Sequence, residues 1–199
     1  HTGTVQDKLI AAREALGAWP GGLHYGGGVR PENAGEWLDA GAGALIVTSF
    51  LFVNGELSEE RFAAMTRAVP KEKLVIDLSC RERDGRFFVA VRRWQEWTRF
   101  ELTVDNLARL APHAREFLIH AVDHEGKPAG PQASRVEWVG RNSPIPCVYA
   151  GGIRTMSDID LIEKWGRGRM DFTVGSALDL FGGKGIKYET LVKREQRLR

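Results

Sequence analysis

Apolar residues fall in short blocks that do not alternate, separated by stretches with a helical period, and this pattern persists along the whole chain. The blocks Leu23–Tyr25, Ala44–Thr48, Leu74–Ser79, Phe117–His120, Cys147–Tyr149 and Asp171–Val174 read as strands. Val5–Leu16 carries Leu9, Ala12 and Leu16 on one helical face and meets a glycine stop at Gly17, with Pro20 beyond. Pro31 stands where a first helical residue belongs, and Gly41 ends that helix. Ser58 caps a helix to about Ala68, and Thr103 caps one to about Ala114. Pro131–Val139 is helical, Ser157 begins a helix ending near Trp165, and Tyr188–Leu198 is a charged closing helix. Arg86–Val91 reads as an extra strand turned at Asp84-Gly85, followed by a long loop. Six βα units with strands this apolar predict an α/β fold, a parallel sheet covered by helices. No linker or low-complexity stretch interrupts them, so residues 1–199 are expected to form a single domain.

An internal repeat narrows the architecture. Tyr25-Gly26-Gly27-Gly28-Val29-Arg30 returns as Tyr149-Ala150-Gly151-Gly152-Ile153-Arg154. Each copy is followed by one helix and a second matching strand end, Val47-Thr48-Ser49 in the first case and Val174-Gly175-Ser176 in the second. A solenoid would repeat every ~20–45 residues, and these copies lie much farther apart. A (β/α)8 TIM barrel with an internal twofold repeat accounts for them better.

Composition removes several functional classes. The chain has 199 residues, 43% apolar and 27% charged, enough for a sizeable core. With 28 Lys+Arg against 26 Asp+Glu, the net charge of +2 leaves no basic stripe to track a nucleic-acid backbone. The longest apolar run, Gly43–Val53, is broken by Thr48 and Ser49 and falls short of the ~18 residues of a membrane span. Cys80 and Cys147 lie in apolar stretches without a CxxC pair, as buried thiols of a reducing compartment would. No His/Cys/Glu cluster has metal-ligand spacing, so a metal is not implied, and GxSxG, Walker and GxGxxG sequences are absent, so hydrolase and nucleotide-triphosphate readings lose support. The chain opens on His1, which fits either a processed start or preceding residues.

The chemistry gathers at strand ends. Glycine pairs after a parallel strand let backbone N–H groups approach an anion, and the next helix N-terminus adds a favourable field. Gly27-Gly28 with Thr48 and Ser49 therefore form one candidate phosphate cradle, and Gly151-Gly152 with Gly175 and Ser176 form another. The second falls on the last two strands, where barrels commonly bind phosphate. Two cradles across one mouth imply an elongated ligand with a phosphate at each end. Asp77, a carboxylate in an apolar strand, reads as a general acid whose pKa burial raises, or as a structural partner of Arg81 or Arg154. His120 and Asp123 end the Phe117–His120 strand at the same mouth; either binds substrate, with packing as the other reading of His120. Arg30 and Arg154 contact a phosphate or carboxamide, or form solvated ion pairs. Trp94 stacks on a planar heterocycle or anchors its loop.

These segments, in order, resemble one family. Tyr25-Gly-Gly-Gly-Val-Arg30, Val75-Ile-Asp77-Leu-Ser-Cys80, Phe88-Val-Ala-Val-Arg-Arg-Trp94-Gln, Phe117-Leu-Ile-His-Ala-Val-Asp123, Val148-Tyr-Ala-Gly-Gly152 and Phe172-Thr-Val-Gly-Ser-Ala-Leu-Asp179 are similar to the ProFAR isomerases of histidine biosynthesis, closest to their eukaryotic-type branch. The resemblance covers essentially the whole chain beyond about residue 10. It implies a twofold-repeated (β/α)8 barrel that performs a cofactor-free Amadori rearrangement on a bisphosphorylated imidazole carboxamide ribotide. By motif position it makes Asp77 the general acid and Trp94 the stacking residue. Gly27, Gly28 and Ser49 become one phosphate site, and Gly151, Gly152, Gly175 and Ser176 the other.

Charge, hydropathy and the two thiols lead to the expectation of a cytoplasmic protein with no nucleic-acid or membrane partner, a monomer when complete. The strands here align as the family's third to eighth, and a typical barrel is about 50 residues longer. The first two strands and a helix, with the family's first-strand aspartate base among them, are thus expected to be missing, either through truncation of the protein or because they precede residue 1. The alternatives are the related imidazole glycerol phosphate synthase cyclase, against which the Asp77-to-Trp94 segment argues, and a noncatalytic bisphosphate-binding barrel fragment. Ala121-Val122 stands before Asp123 where many bacterial members have a threonine, in keeping with the eukaryotic-type pattern.

Overall fold

The computed structural model describes residues 4–92, 94–121 and 130–198, so Asp123 lies outside the described residues. Helix α1 (Val5–Ala18) opens on a capping box in which Thr4 accepts from the Asp7 amide and Asp7 accepts from the Thr4 amide. It runs through Gly17, the expected stop, and its cap is Trp19, because the proline at 20 disfavours helical backbone in the residue before it. Strand β1 (His24–Gly26), helix α2 (Pro31–Asp39) and strand β2 (Ala44–Val47) follow. The two-residue strands β3 (Phe52–Val53) and β4 (Glu56–Leu57) form a hairpin on the Asn54-Gly55 turn. Both turn residues have positive φ, 50° and 78°, as a primed hairpin turn requires. This hairpin was not expected; its strands are too short to show a period.

Helix α3 (Glu59–Ala68) is capped by Ser58, as expected, and leads to β5 (Leu74–Asp77). Beyond β5 come three strands, β6 (Cys80–Arg83), β7 (Arg86–Val91) and β8 (Glu96–Glu101), in a separate antiparallel sheet. The Asp84-Gly85 hairpin is present, but the stretch after β7 that was expected to be a long loop holds β8, which pairs antiparallel with β7. Helix α4 (Val104–Leu110) ends earlier than expected, in a 3-10 turn at Ala111–His113 that contains Pro112. Strand β9 (Glu116–His120), helix α5 (Ala133–Asn142), strand β10 (Cys147–Ala150), helix α6 (Met156–Trp165), strand β11 (Met170–Thr173) and helix α7 (Tyr188–Leu198) complete the order. Helix α6 is capped by Thr155 rather than beginning at Ser157.

Six strands pair in the order β1-β2-β5-β9-β10-β11, every pair parallel. The sheet curls as a half barrel, consistent with a TIM-barrel-like α/β fold. On its inner strands Ile46, Asp77, Leu118 and Val148 are only half-buried, while Leu45, Leu74, Ile76, Phe117, Ile119 and Tyr149 are almost wholly removed from water. Each such side chain contributes about 1.5–3 kcal/mol. The outer strands β1 and β11 carry exposed positions, so the two ends of the sheet are much less covered than its centre. The antiparallel sheet leans on α5 through Phe87, which meets Trp138 edge-on at 6.2 Å and lies under the guanidinium of fully buried Arg135. Cys80 and Cys147 are buried, and burial pushes the Cys147 thiol up to about 11. Among the described residues no helix is long and apolar enough to cross a membrane.

Candidate active site

Asp77 is the last residue of β5, and its neighbour in the sheet is the end of β2. Val47 pairs with Ile76, so one residue further on Thr48 stands beside Asp77. The Thr48 hydroxyl donates to Asp77 Oδ2 at 2.7 Å. The other carboxylate oxygen accepts the Ser79 amide at 2.7 Å and a short hydrogen bond from the Ser79 hydroxyl. Of the two sequence readings of Asp77, an arginine partner is replaced by this hydroxyl-and-amide cage. Three donors fix the orientation of a half-buried carboxylate at the end of the sheet where the strand ends converge. Thr48 was expected to serve a phosphate; its proton is given to Asp77 instead.

The two glycine cradles have nearly the same backbone. Gly27 and Gly28 have φ of 111° and 70°, and Gly151 and Gly152 have 101° and 72°. Only glycine adopts such values without strain. At Gly27 and Gly28 a Cβ would meet nothing within 4 Å, which leaves open space over the amides. Each turn is held by a polar side chain from the helix that follows. Asn33 donates to the Gly28 carbonyl at 3.0 Å and accepts from the Arg30 amide at 2.8 Å, while Asp158 accepts from the amides of Arg154 and Thr155 at 2.9 Å. Sequence reading missed both clamps, although the Thr155-x-x-Asp158 capping signature is visible. Gly175 and Ser176 follow β11 and are exposed.

A cavity of about 1050 Å³ opens over the first cradle. Gly27, Gly28, Arg30, Thr48, Ser49, Asp77 and Trp94 all line it, so the structure brings together seven of the residues singled out from the sequence. Its roof is the antiparallel sheet, which contributes Ala90, Arg92, Trp97 and Arg99. The roof is tied to the cradle: the Arg92 amide donates to the Ser49 hydroxyl oxygen at 3.2 Å, and the Arg99 amide donates to the Gly55 carbonyl at 2.7 Å. Ser49 still has its own proton to donate to an anion.

Trp94 is held at φ 64°, in the left-handed region, with its ring edge-on to His120 at 4.4 Å. His120 packs in turn against Gly151, where a Cβ would come within 2.9 Å of its imidazole. His120, Gly151, Gly152, Gly175 and Ser176 are not among the residues lining the large cavity. Trp94 and His120 together bridge from that cavity to the second cradle.

Charge is unevenly matched around the cavity. Arg92 pairs with Glu96 at 2.9 Å, and Arg99 pairs with Glu56. Asp77 and Glu96 are the carboxylates of the lining, set against four arginines, Arg30, Arg61, Arg92 and Arg99. The cavity thus favours an anionic ligand.

Residues 6–184 match the family model described as histidine biosynthesis protein. A Neurospora crassa imidazole-4-carboxamide isomerase, a ProFAR isomerase, is 45% identical over 190 residues, which are 94% of this chain and 74% of the relative. This chain belongs to the ProFAR isomerase family. A Medicago truncatula family member, named as chloroplastic, is 44% identical over 182 residues, 92% of this chain and 58% of the relative's length. The Saccharomyces cerevisiae ProFAR isomerase is 41% identical over 185 residues, 90% of this chain and 70% of the relative.

Proposed function

We propose that this protein catalyses the Amadori rearrangement of the aminoaldose ProFAR to its aminoketose, PRFAR, in histidine biosynthesis. The observation that carries this reading is a single cavity lined by a glycine cradle, a caged carboxylate and an aromatic ring, with four arginines around it. One substrate phosphate sits on the amides of Gly27 and Gly28 with the Ser49 hydroxyl, and Arg30 contacts the ligand beside it. The other sits on Gly151, Gly152, Gly175 and Ser176. The near-identical φ values of the two glycine pairs support a twofold-repeated (β/α)8 barrel with a cradle in each half.

Asp77 gives its proton to the ring oxygen of the aminoaldose, and the bond from that oxygen to C1 breaks to leave an imine at C1. Removal of the C2 proton forms an enolamine; reprotonation at C1 and loss of the C2 hydroxyl proton then yield the aminoketose. Net, one proton moves from C2 to C1, the C2 hydroxyl proton replaces the one Asp77 gave to the ring oxygen, and no oxidant or cofactor is consumed. Thr48 positions Asp77, Trp94 covers the heterocycle, and His120 backs Trp94. Glu96 is engaged by Arg92, so the C2 base is assigned to no residue of β1–β11.

Incubation with ProFAR, followed by chromatography of the products, tests the reading. Formation of PRFAR is expected. Conversion of PRFAR with ammonia to an imidazole product, without any action on ProFAR, would make the protein a cyclase and overturn it.

A further inference from the structure

We propose that Arg61 is a phosphate-binding residue of the first cradle, an assignment that rests on the reading of that cradle as a phosphate site. Arg61 lies in the first turn of α3, three residues after the capping Ser58, and the hydroxyl of Ser58 accepts its amide. Its side chain lines the same cavity as Gly27, Gly28 and Ser49. The guanidinium lies over the Phe50 ring at 5.4 Å, and one of its nitrogens donates to the Phe50 carbonyl at 3.3 Å. Phe50 directly follows Ser49, so the fork is anchored next to the cradle hydroxyl.

Two of the other three arginines around the cavity are already neutralised. Arg92 is held by Glu96 and Arg99 by Glu56, whereas Arg61 makes no ion pair among the described residues. One of its five N–H groups is used and the rest remain to donate. A planar fork held by stacking and one hydrogen bond loses little freedom when it takes an oxyanion bidentately. The cradle amides and the Ser49 hydroxyl supply direction but no net charge; Arg61 supplies charge to the phosphate alongside Arg30. Its ligand class is a phosphomonoester, the terminal group of a sugar phosphate.

Arg61 is exposed, so its replacement leaves the fold intact. Titration of inorganic phosphate into wild type, Arg61→Ala and Arg61→Lys by calorimetry at two salt concentrations reads the assignment without requiring turnover. Arg61→Ala is expected to weaken phosphate binding at this cradle by about 10- to 100-fold, the range for a hydrogen bond to a charged group. Its binding should also depend less steeply on salt, and Arg61→Lys should recover part of the affinity. In steady-state assays on ProFAR the loss should fall mainly on KM rather than kcat, because the phosphate is remote from the reacting carbon.

Equal phosphate affinity and equal salt dependence for wild type and Arg61→Ala would overturn the assignment, whether or not the wild type turns over. Weakened phosphate binding in Arg61→Ala alongside a wild type inert toward ProFAR would uphold Arg61 and overturn the isomerase reading alone.

Discussion

Thr48 donates its hydroxyl proton to Asp77 across two adjacent parallel strands, at 2.7 Å. The pairing of Val47 with Ile76 makes this contact a consequence of sheet register. A residue expected to hold a phosphate therefore orients Asp77, and in the proposed reaction the phosphate is left to the cradle amides and Ser49.

Asp77→Asn should lower turnover by ~10²-fold or more with little change in substrate affinity, since a positioned general acid contributes about that much. Thr48→Val, which keeps the shape and removes the donor, should lower turnover about tenfold. Steady-state kinetics on ProFAR separate the two effects. Turnover of Thr48→Val within twofold of wild type would show that Asp77 needs no orienting partner beyond Ser79.

The glycine pairs should respond unequally to alanine. At Gly28 an added Cβ meets open space, so Gly28→Ala carries only the cost of a left-handed residue, about 1–2 kcal/mol. At Gly152 the Cβ would lie 2.4 Å from the Gly130 carbonyl oxygen, so Gly152→Ala should be clearly the more destabilised in urea unfolding. Equal stabilities would mean that the 130–131 segment yields freely.

Trp94 separates strain from contact. Trp94→Gly relieves a positive φ and removes the ring, whereas Trp94→Ala removes the ring and keeps the strain. Both should bind substrate about 3- to 10-fold more weakly through loss of stacking. Trp94→Gly should be the more stable of the two in thermal unfolding, and the reverse order would remove backbone strain from this account.

Cys147 sets an alkaline limit. Burial raises its thiol from the ordinary 9.0 to about 11, so the unfolded chain releases this proton first. The contribution is fully present below pH 9 and declines between about 9 and 11, by roughly 2–3 kcal/mol in all. Urea unfolding across that window should show the decline in wild type and a flatter profile in Cys147→Ala. Parallel profiles would contradict it.

The sequence showed what depends on local chemistry. Glycine pairs that need positive φ, Ser58 and Thr103 as caps, and the Asp84-Gly85 turn each carry their signal within a few residues, and the six parallel strands stand out as unbroken apolar blocks. What stayed hidden depends on register and tertiary contact. The Thr48–Asp77 bond joins residues 29 apart, the Arg92–Ser49 bond joins residues 43 apart, and the Phe50 shelf under Arg61 arises from a 3-10 turn with no periodicity. The β3–β4 hairpin and β8 were missed for a related reason. Their pairing is stabilised by Arg99 reaching the Gly55 and Asn54 carbonyls and by Phe52 packing edge-on to Phe100 at 5.8 Å, none of which a short window displays.

The most direct test of the central claim is a crystal structure of the protein with PRFAR bound. The account predicts one phosphate on Gly27, Gly28 and Ser49, the other on Gly151, Gly152, Gly175 and Ser176, and the sugar that was opened within hydrogen-bond reach of Asp77. Ligand density that left either cradle empty, or placed the opened sugar away from Asp77, would contradict it.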